Sequence, residues 1–115
     1  MAKIVVMLIT GKENINSEMV AFNFAINSVK NAKAAVEFLF LGRGVEAAVK
    51  GQKSSPQFEE QINQMKALGI PVKICKVSMQ GEGLTEEDVF PGMEQVMGGV
   101  EVNSKIEEGF SVITF

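Results

Sequence analysis

Residues 4–11 read Ile4-Val5-Val6-Met7-Leu8-Ile9-Thr10-Gly11. Six apolar residues, four of them β-branched, run without a polar interruption. A strand with one wet face would alternate apolar and polar residues. An unbroken run is how a strand covered on both faces reads, as in a parallel sheet packed between helices. Beyond Thr10-Gly11, apolar residues recur at 15, 19, 22, 26 and 29, a helical period that predicts a helix from Ile15 to about Val29. A second buried run follows, Ala35-Val36-Glu37-Phe38-Leu39-Phe40-Leu41, ending at Gly42-Arg43-Gly44. Strand, helix, strand in this order is a βαβ unit, which implies parallel strands joined by a right-handed crossover.

The remaining sequence continues the alternation. Val45 to Lys50 suits two helical turns. Ser55-Pro56 places an N-cap residue before a proline at the first helical position, and Phe58, Ile62, Met65 and Leu68 then share a face up to Gly69. Ile70 to Val77 reads as a third strand, with Pro71 at its start, and Gln80 to Gly83 as a glycine-containing loop. Thr85-Glu86-Glu87-Asp88 resembles a capping box for a short helix. Glu94 to Met97 is a short strand, Val100 to Glu108 a last helix closed by Gly109, and Phe110 to Phe115 the final strand. The expectation is a single α/β domain over residues 1–115, with a mostly parallel five-stranded sheet between helices.

Composition narrows the function. The net charge is −3, so the basic footprint that nucleic acid demands is missing, and so is a polybasic membrane patch. No stretch approaches the roughly 20 apolar residues that span a bilayer, and Ile4–Ile9 is too short for a signal peptide. The chain has no histidine and one cysteine, Cys75. This removes Ser-His-Asp and Cys-His catalysis, zinc sites containing histidine, and four-thiolate zinc. No metal and no resident cofactor are expected. A lone cysteine suits a reducing compartment, so the expected location is cytoplasmic.

In open α/β sheets, ligands bind outside the carboxyl ends of the strands. That rule marks three loops: Thr10 to Asn14, Gly42 to Gly44, and Cys75 to Gly83. Together they would carry one thiol (Cys75), two cations (Lys12 and Arg43), the hydroxyls of Thr10 and Ser78, Asn14, and the backbone of Gly11, Gly42, Gly44, Gly81 and Gly83. Cys75 is the strong nucleophile of the chain, and nearby cations or helix N-terminal N–H groups would lower its pKa. The plainer alternative is a small buried hydrophobe. Gly42-Arg43-Gly44-Val45-Glu46-Ala47 formally matches G-x-G-x-x-A. It lacks the full-length helix and the later acidic strand end of a dinucleotide site, so a tight strand-to-helix turn is the preferred reading. Gly11-Lys12 is no Walker loop, because Glu13 stands where a magnesium-binding Ser or Thr belongs. Glu82, Glu86, Glu87 and Asp88 read as a solvated helix start.

At Cys75 these residues fall into a recognisable pattern. Lys73-Ile74-Cys75 is followed by Ser78-Met79, Gly83-Leu84, Glu87-Asp88-Val89, Gly92-Met93-Glu94 and finally Gly109-Phe110. The pattern resembles the DsrE/DsrF-like family, which includes the sulfur-relay Dsr and Tus subunits. The resemblance implies a three-layer α/β/α sandwich and assembly as a homotrimer or homohexamer. It also implies that Cys75 carries sulfur as a persulfide between a donor and an acceptor protein. On chemical grounds, the cations Lys12 and Arg43 and the N–H groups of the Ser78–Gly83 loop are the groups expected to hold that anion.

Three functions follow as expectations. A sulfur carrier or sulfurtransferase subunit would need an exposed, acidic Cys75 thiol. A small-ligand module, for a nucleotide or a flavin-like anion, would use the Gly11 and Gly42–Gly44 loops. A structural homo-oligomer subunit would leave the chemistry to a partner chain, with Met79, Met93 and Met97 as interface candidates.

Overall fold

The computed structural model describes residues 1–115. In chain order the main elements are β1 (Lys3–Leu8), α1 (Ile15–Ala32), β2 (Ala35–Phe40), α2 (Ser55–Ala67) and β3 (Val72–Cys75), followed by α3 (Lys76–Gly81), β4 (Glu94–Val96), α4 (Gly98–Glu107) and β5 (Ser111–Thr114). Short 3₁₀ turns lie at Lys12–Asn14, Gly42–Ala48 and Glu86–Asp88. The five strands form one sheet in the order β4-β3-β2-β1-β5, and all four pairings are parallel.

That order decides which face each helix covers. From β1 to β4 the chain steps steadily outward, so right-handed crossovers place α1, α2 and α3 on the same face. From β4 to β5 it returns across the whole sheet in the opposite direction, which sends α4 to the other face. The side chains agree. Val6, Leu8, Val36, Phe38, Phe40, Val72 and Ile74 join α1, α2 and Met79 of α3 in one 22-residue core. Their strand neighbours Val5, Glu37, Leu39 and Cys75 are buried on the α4 face, outside that core. The result is a three-layer α/β/α sandwich with a thick side and a thin one.

Aromatic rings fill the thick side. Phe22 of α1 stacks on Phe38 at 5.2 Å, Phe38 meets Phe40 edge-on at 4.9 Å, and Phe58 of α2 closes on Phe22 at 5.3 Å. Such pairs add about 0.5–1.5 kcal/mol each beyond the area they bury. Asn14 caps α1 by accepting the Ser17 N–H at 3.1 Å. Gly44 lies so close to the Leu8 carbonyl that a Cβ there would collide with backbone.

The third strand differs from the sequence expectation. It ends at Cys75 rather than Val77, and Lys76–Gly81, expected as strand and then loop, is helical. The cause is the neighbouring strand: the β2–β3 ladder stops at Phe40↔Ile74. Past that point the β3 backbone has no ladder partner on the β2 side, and helical hydrogen bonds satisfy it instead. The turn expected at Val45–Lys50 begins three residues earlier, at Gly42, and is 3₁₀. Met79, expected at an interface, is 2% exposed and belongs to the core.

Candidate functional site

The segment leaving β3 turns into α3 on the thick side of the sheet, and the segment leaving β4 leads to α4 on the thin side. The carboxyl ends of these two adjacent strands therefore form a fork, the position where open α/β sheets bind ligands. Cys75 is the last residue of β3 and pairs in register with Val96, the last of β4. Its side chain faces α4. A Cβ on Gly98, the first residue of α4, would lie 3.1 Å from the Cys75 sulfur and would overlap Leu41. Only glycine lets the α4 N-terminus come this close.

The sulfur is held from both arms of the fork. It accepts the Ser78 N–H at 3.5 Å, acting as the N-cap of α3. Burial pushes the Cys75 thiol up, but hydrogen bonds from the Ser78 hydroxyl and from the N–H groups of Ser78, Gly98 and Val77 outweigh it. The net pKa lies below the usual thiol value. Cys75 is nevertheless only 5% exposed, so the expected open thiol is covered.

The other sequence-derived site residues divide into two groups. Gly42 and Ser78 belong with the thiol, because the Gly42 N–H donates to Ser78 Oγ at 2.8 Å. Gly11, Lys12 and Arg43 lie together in a second cluster. There the Gly11 N–H donates to Glu13 Oε1 at 3.0 Å and the Lys12 N–H to Glu46 Oε1 at 2.8 Å. The Arg43 guanidinium sits 3.5 Å from both of those carboxylates. The amides and the arginine that an anionic ligand would use are thus engaged by the chain's own glutamates. Thr10 is half-buried beside this cluster, Asn14 caps α1, and Gly44 packs against β1. Gly81 and Gly83 lie at the far end of α3, where the Gly83 N–H donates to the Gln80 carbonyl at 3.1 Å. The first turn of α3 and Gly98 line the sulfur where a Ser78–Gly83 loop was expected.

Sequence reasoning missed the charged layer beneath α4. Glu37 of β2 is 1% exposed, with Lys73 Nζ at 3.1 Å and Lys105 Nζ at 3.5 Å from its Oε1. These are ion contacts; the aligned hydrogen bond of Lys73 goes to Glu101 of α4 at 2.8 Å. Burial, helped by the adjacent Glu101 carboxyl, pushes Glu37 up against the pull of Lys73. Burial also pushes Glu101 up, but its hydrogen bonds with Glu37 and Lys73 hold it below the usual carboxylate value. The signals were a glutamate inside the apolar run 35–41, a lysine two residues before the cysteine, and the Gly98-Gly99 pair opening a helix.

The fold and this fork have counterparts among known proteins. Residues 3–115 match the DsrE/DsrF-like family. The chain belongs to that family. The ychN protein from E. coli superposes with a TM-score of 0.82 at 23% identity, each chain covered over 100% of its length. MTH1491 of Methanobacterium thermoautotrophicum, a protein of unknown function, gives 0.75 at 16% identity with both chains fully covered. BT1422 of Bacteroides thetaiotaomicron, likewise of unknown function, gives 0.74 at 16% identity, covering 98% of this chain and 94% of its own. At these identities the likeness concerns the fold. No curated protein matches the chain. No helix of this DsrE-like domain is long and apolar enough to cross a membrane.

Proposed function

We propose that this DsrE-like protein is a cytoplasmic sulfur carrier that accepts and donates persulfide sulfur on Cys75. The observation that carries the reading is the seat of the sulfur in the β3/β4 fork, where it accepts the Ser78 N–H at 3.5 Å and packs against Gly98 at the start of α4, surroundings that lower the thiol pKa and favour the thiolate. Thiolate is the form that performs sulfur exchange. Cys75 is 5% exposed, so the exchange requires α3 and α4 to part at the fork as the donor docks; the Cys75 thiolate then attacks the terminal sulfur of a donor persulfide. The donor's S–S bond breaks, the donor leaves as thiolate, and Cys75 keeps the outer sulfur as a persulfide. An acceptor thiolate then attacks that outer sulfur and regenerates the Cys75 thiolate. No oxidant or reductant is consumed, so one cysteine suffices.

Exposed apolar residues flank the fork: Val77 on α3 (52%), Met97 just before α4 (52%) and Val100 on its first turn (70%). Such a rim suits protein donors and acceptors rather than a free small ligand. Assembly as a homotrimer or homohexamer is proposed on the family resemblance, and sedimentation would decide it. A nucleotide or flavin-like anion is disfavoured, because the Gly11, Lys12 and Gly42 amides already have partners within the chain.

Intact-mass spectrometry after incubation with a persulfide donor tests the carrier reading. The wild type is expected to gain the mass of one sulfur atom and lose it to a reductant, while Cys75→Ser gains nothing. A wild type that stays unmodified, with a thiol that also resists a small alkylating agent, would show a purely structural cysteine.

A further inference from the structure

Helix α4 is held to the sheet in an unusual way. Gly98 is its only buried residue, and Val100 and Ile106 face solvent. Apolar burial therefore does little to fix it. In its place stands a ladder of contacts between α4 and the strands. Because α4 returns the chain to the start of β5, it runs against the strand direction, so moving forward along the helix means moving back down the strands. On the first rung Gly98 meets Cys75. On the second, Glu101 meets Lys73 at 2.8 Å. On the third, Lys105 meets Glu37 at 3.5 Å. Lys73 and Cys75 are two apart on one strand and so point to the same face. Gly98 and Glu101 are three apart on one helix and so lie on the same side. Lys73 also approaches Glu94 of β4 at 3.9 Å, tying in the strand whose Val96 pairs with Cys75.

We propose that the Lys73–Glu101 ion pair is a positioning device that holds the first turn of α4 against the Cys75 sulfur. This rests on the thiolate reading of the fork and adds residues that do not touch the reacting sulfur. Without the pair, half-buried Val102 is the one apolar contact left to the first two turns of the helix, and Gly98 drifts from the sulfur it packs against.

The two ways in which these charges could act on the thiol have opposite signs. As a through-space charge, Glu101 disfavours a nearby thiolate, so removing it would lower the thiol pKa. As part of a clamp it supports the Gly98 contact, so removing it would raise the pKa. The experiment is the pH dependence of iodoacetamide alkylation of Cys75 in the full chain, with far-ultraviolet circular dichroism to verify folding. Four proteins are compared: wild type, Glu101→Ala, Lys73→Met and Lys73→Arg. Glu101→Ala and Lys73→Met are expected to shift the profile to higher pH by about one unit, roughly a tenfold slower reaction below the pKa. Lys73→Arg keeps the charge and the reach and is expected to stay near wild type. Should Lys73→Met fold poorly, Glu101→Ala decides, because it sits on a half-buried helix position that alanine favours. An unchanged or lower pKa in Glu101→Ala overturns the clamp while leaving the carrier reading intact. A wild-type thiol titrating in the ordinary range overturns both.

Discussion

Glu18 lies in the first turn of α1 and is 1% exposed, and neither of its carboxyl oxygens has a hydrogen-bond partner within the protein. Burial, with the nearby carboxylates of Glu13 and Glu46, raises its pKa from 4.5 to about 7. The folded protein therefore binds this proton more tightly than the unfolded chain. Between pH 4.5 and about 7 the folded form still holds a proton that the unfolded form has released. Stability must fall as pH rises through that window, and the penalty is complete above it. At about 1.4 kcal/mol per pKa unit, the gap corresponds to on the order of 3 kcal/mol. Glu18→Gln keeps the shape and cannot ionise. Relative to wild type, it is expected to gain on the order of 3 kcal/mol on moving from about pH 4 to about pH 8. Urea unfolding of both proteins at the two pH values measures this. Comparing the variant with wild type cancels Glu37, whose pKa is also raised but which both proteins share. A stability difference identical at both pH values would refute the argument, because it would mean that Glu18 titrates normally in the fold.

Three further outcomes follow from the site geometry. Gly98→Ala places a methyl group against Leu41 and the Cys75 sulfur; it is expected to cost about 1–2 kcal/mol in urea unfolding and to raise the thiol pKa read by alkylation. Ser78→Ala removes the acceptor of the half-buried Gly42 N–H and a donor to the sulfur; a loss of about 1–2 kcal/mol and slower alkylation at neutral pH are expected. Gly44→Ala would press a Cβ into the Leu8 carbonyl, where only backbone movement can relieve it; thermal unfolding should show a loss of about 3 kcal/mol, and an unchanged melting temperature would mean that the turn adapts freely.

Much of the strand framework was legible because burial on both faces leaves a direct trace. Ile4–Ile9 is an uninterrupted apolar run and Ala35–Leu41 is broken only by Glu37, and only strands covered by helices on each side need such runs. The periodic positions of α1 were equally readable, because apolar stripes are local, and Ser55-Pro56 marked the start of α2, although Ser55 is the first residue of that helix and not its cap, its hydroxyl accepting from the Gln52 N–H and donating to the Val49 carbonyl. The end of β3 was not, because Lys76-Val77 has no intrinsic reason to leave a strand; the ladder with β2 simply runs out. The candidate site was legible at its centre and hidden at its margins. Cys75 stood out as the one thiol at a strand's carboxyl end.

Its real neighbour Gly98, and the Lys73–Glu101 pair that ties α4 to the sheet, could not be assembled from spacing, because they meet only once strand order is set. By itself the sequence determined an α/β domain with a lone thiol at a strand end and no histidine chemistry. Tertiary structure alone decided that β5 lies beside β1. That placement forces the β4–β5 crossover back across the sheet, lays α4 on the thin face, and brings a helix N-terminus and a buried ion ladder onto Cys75. The physical reason is reach. Propensity, capping and periodicity act over a few residues, whereas the fork at Cys75 joins groups more than 20 positions apart in the chain, which only the fixed hand of the crossovers brings together.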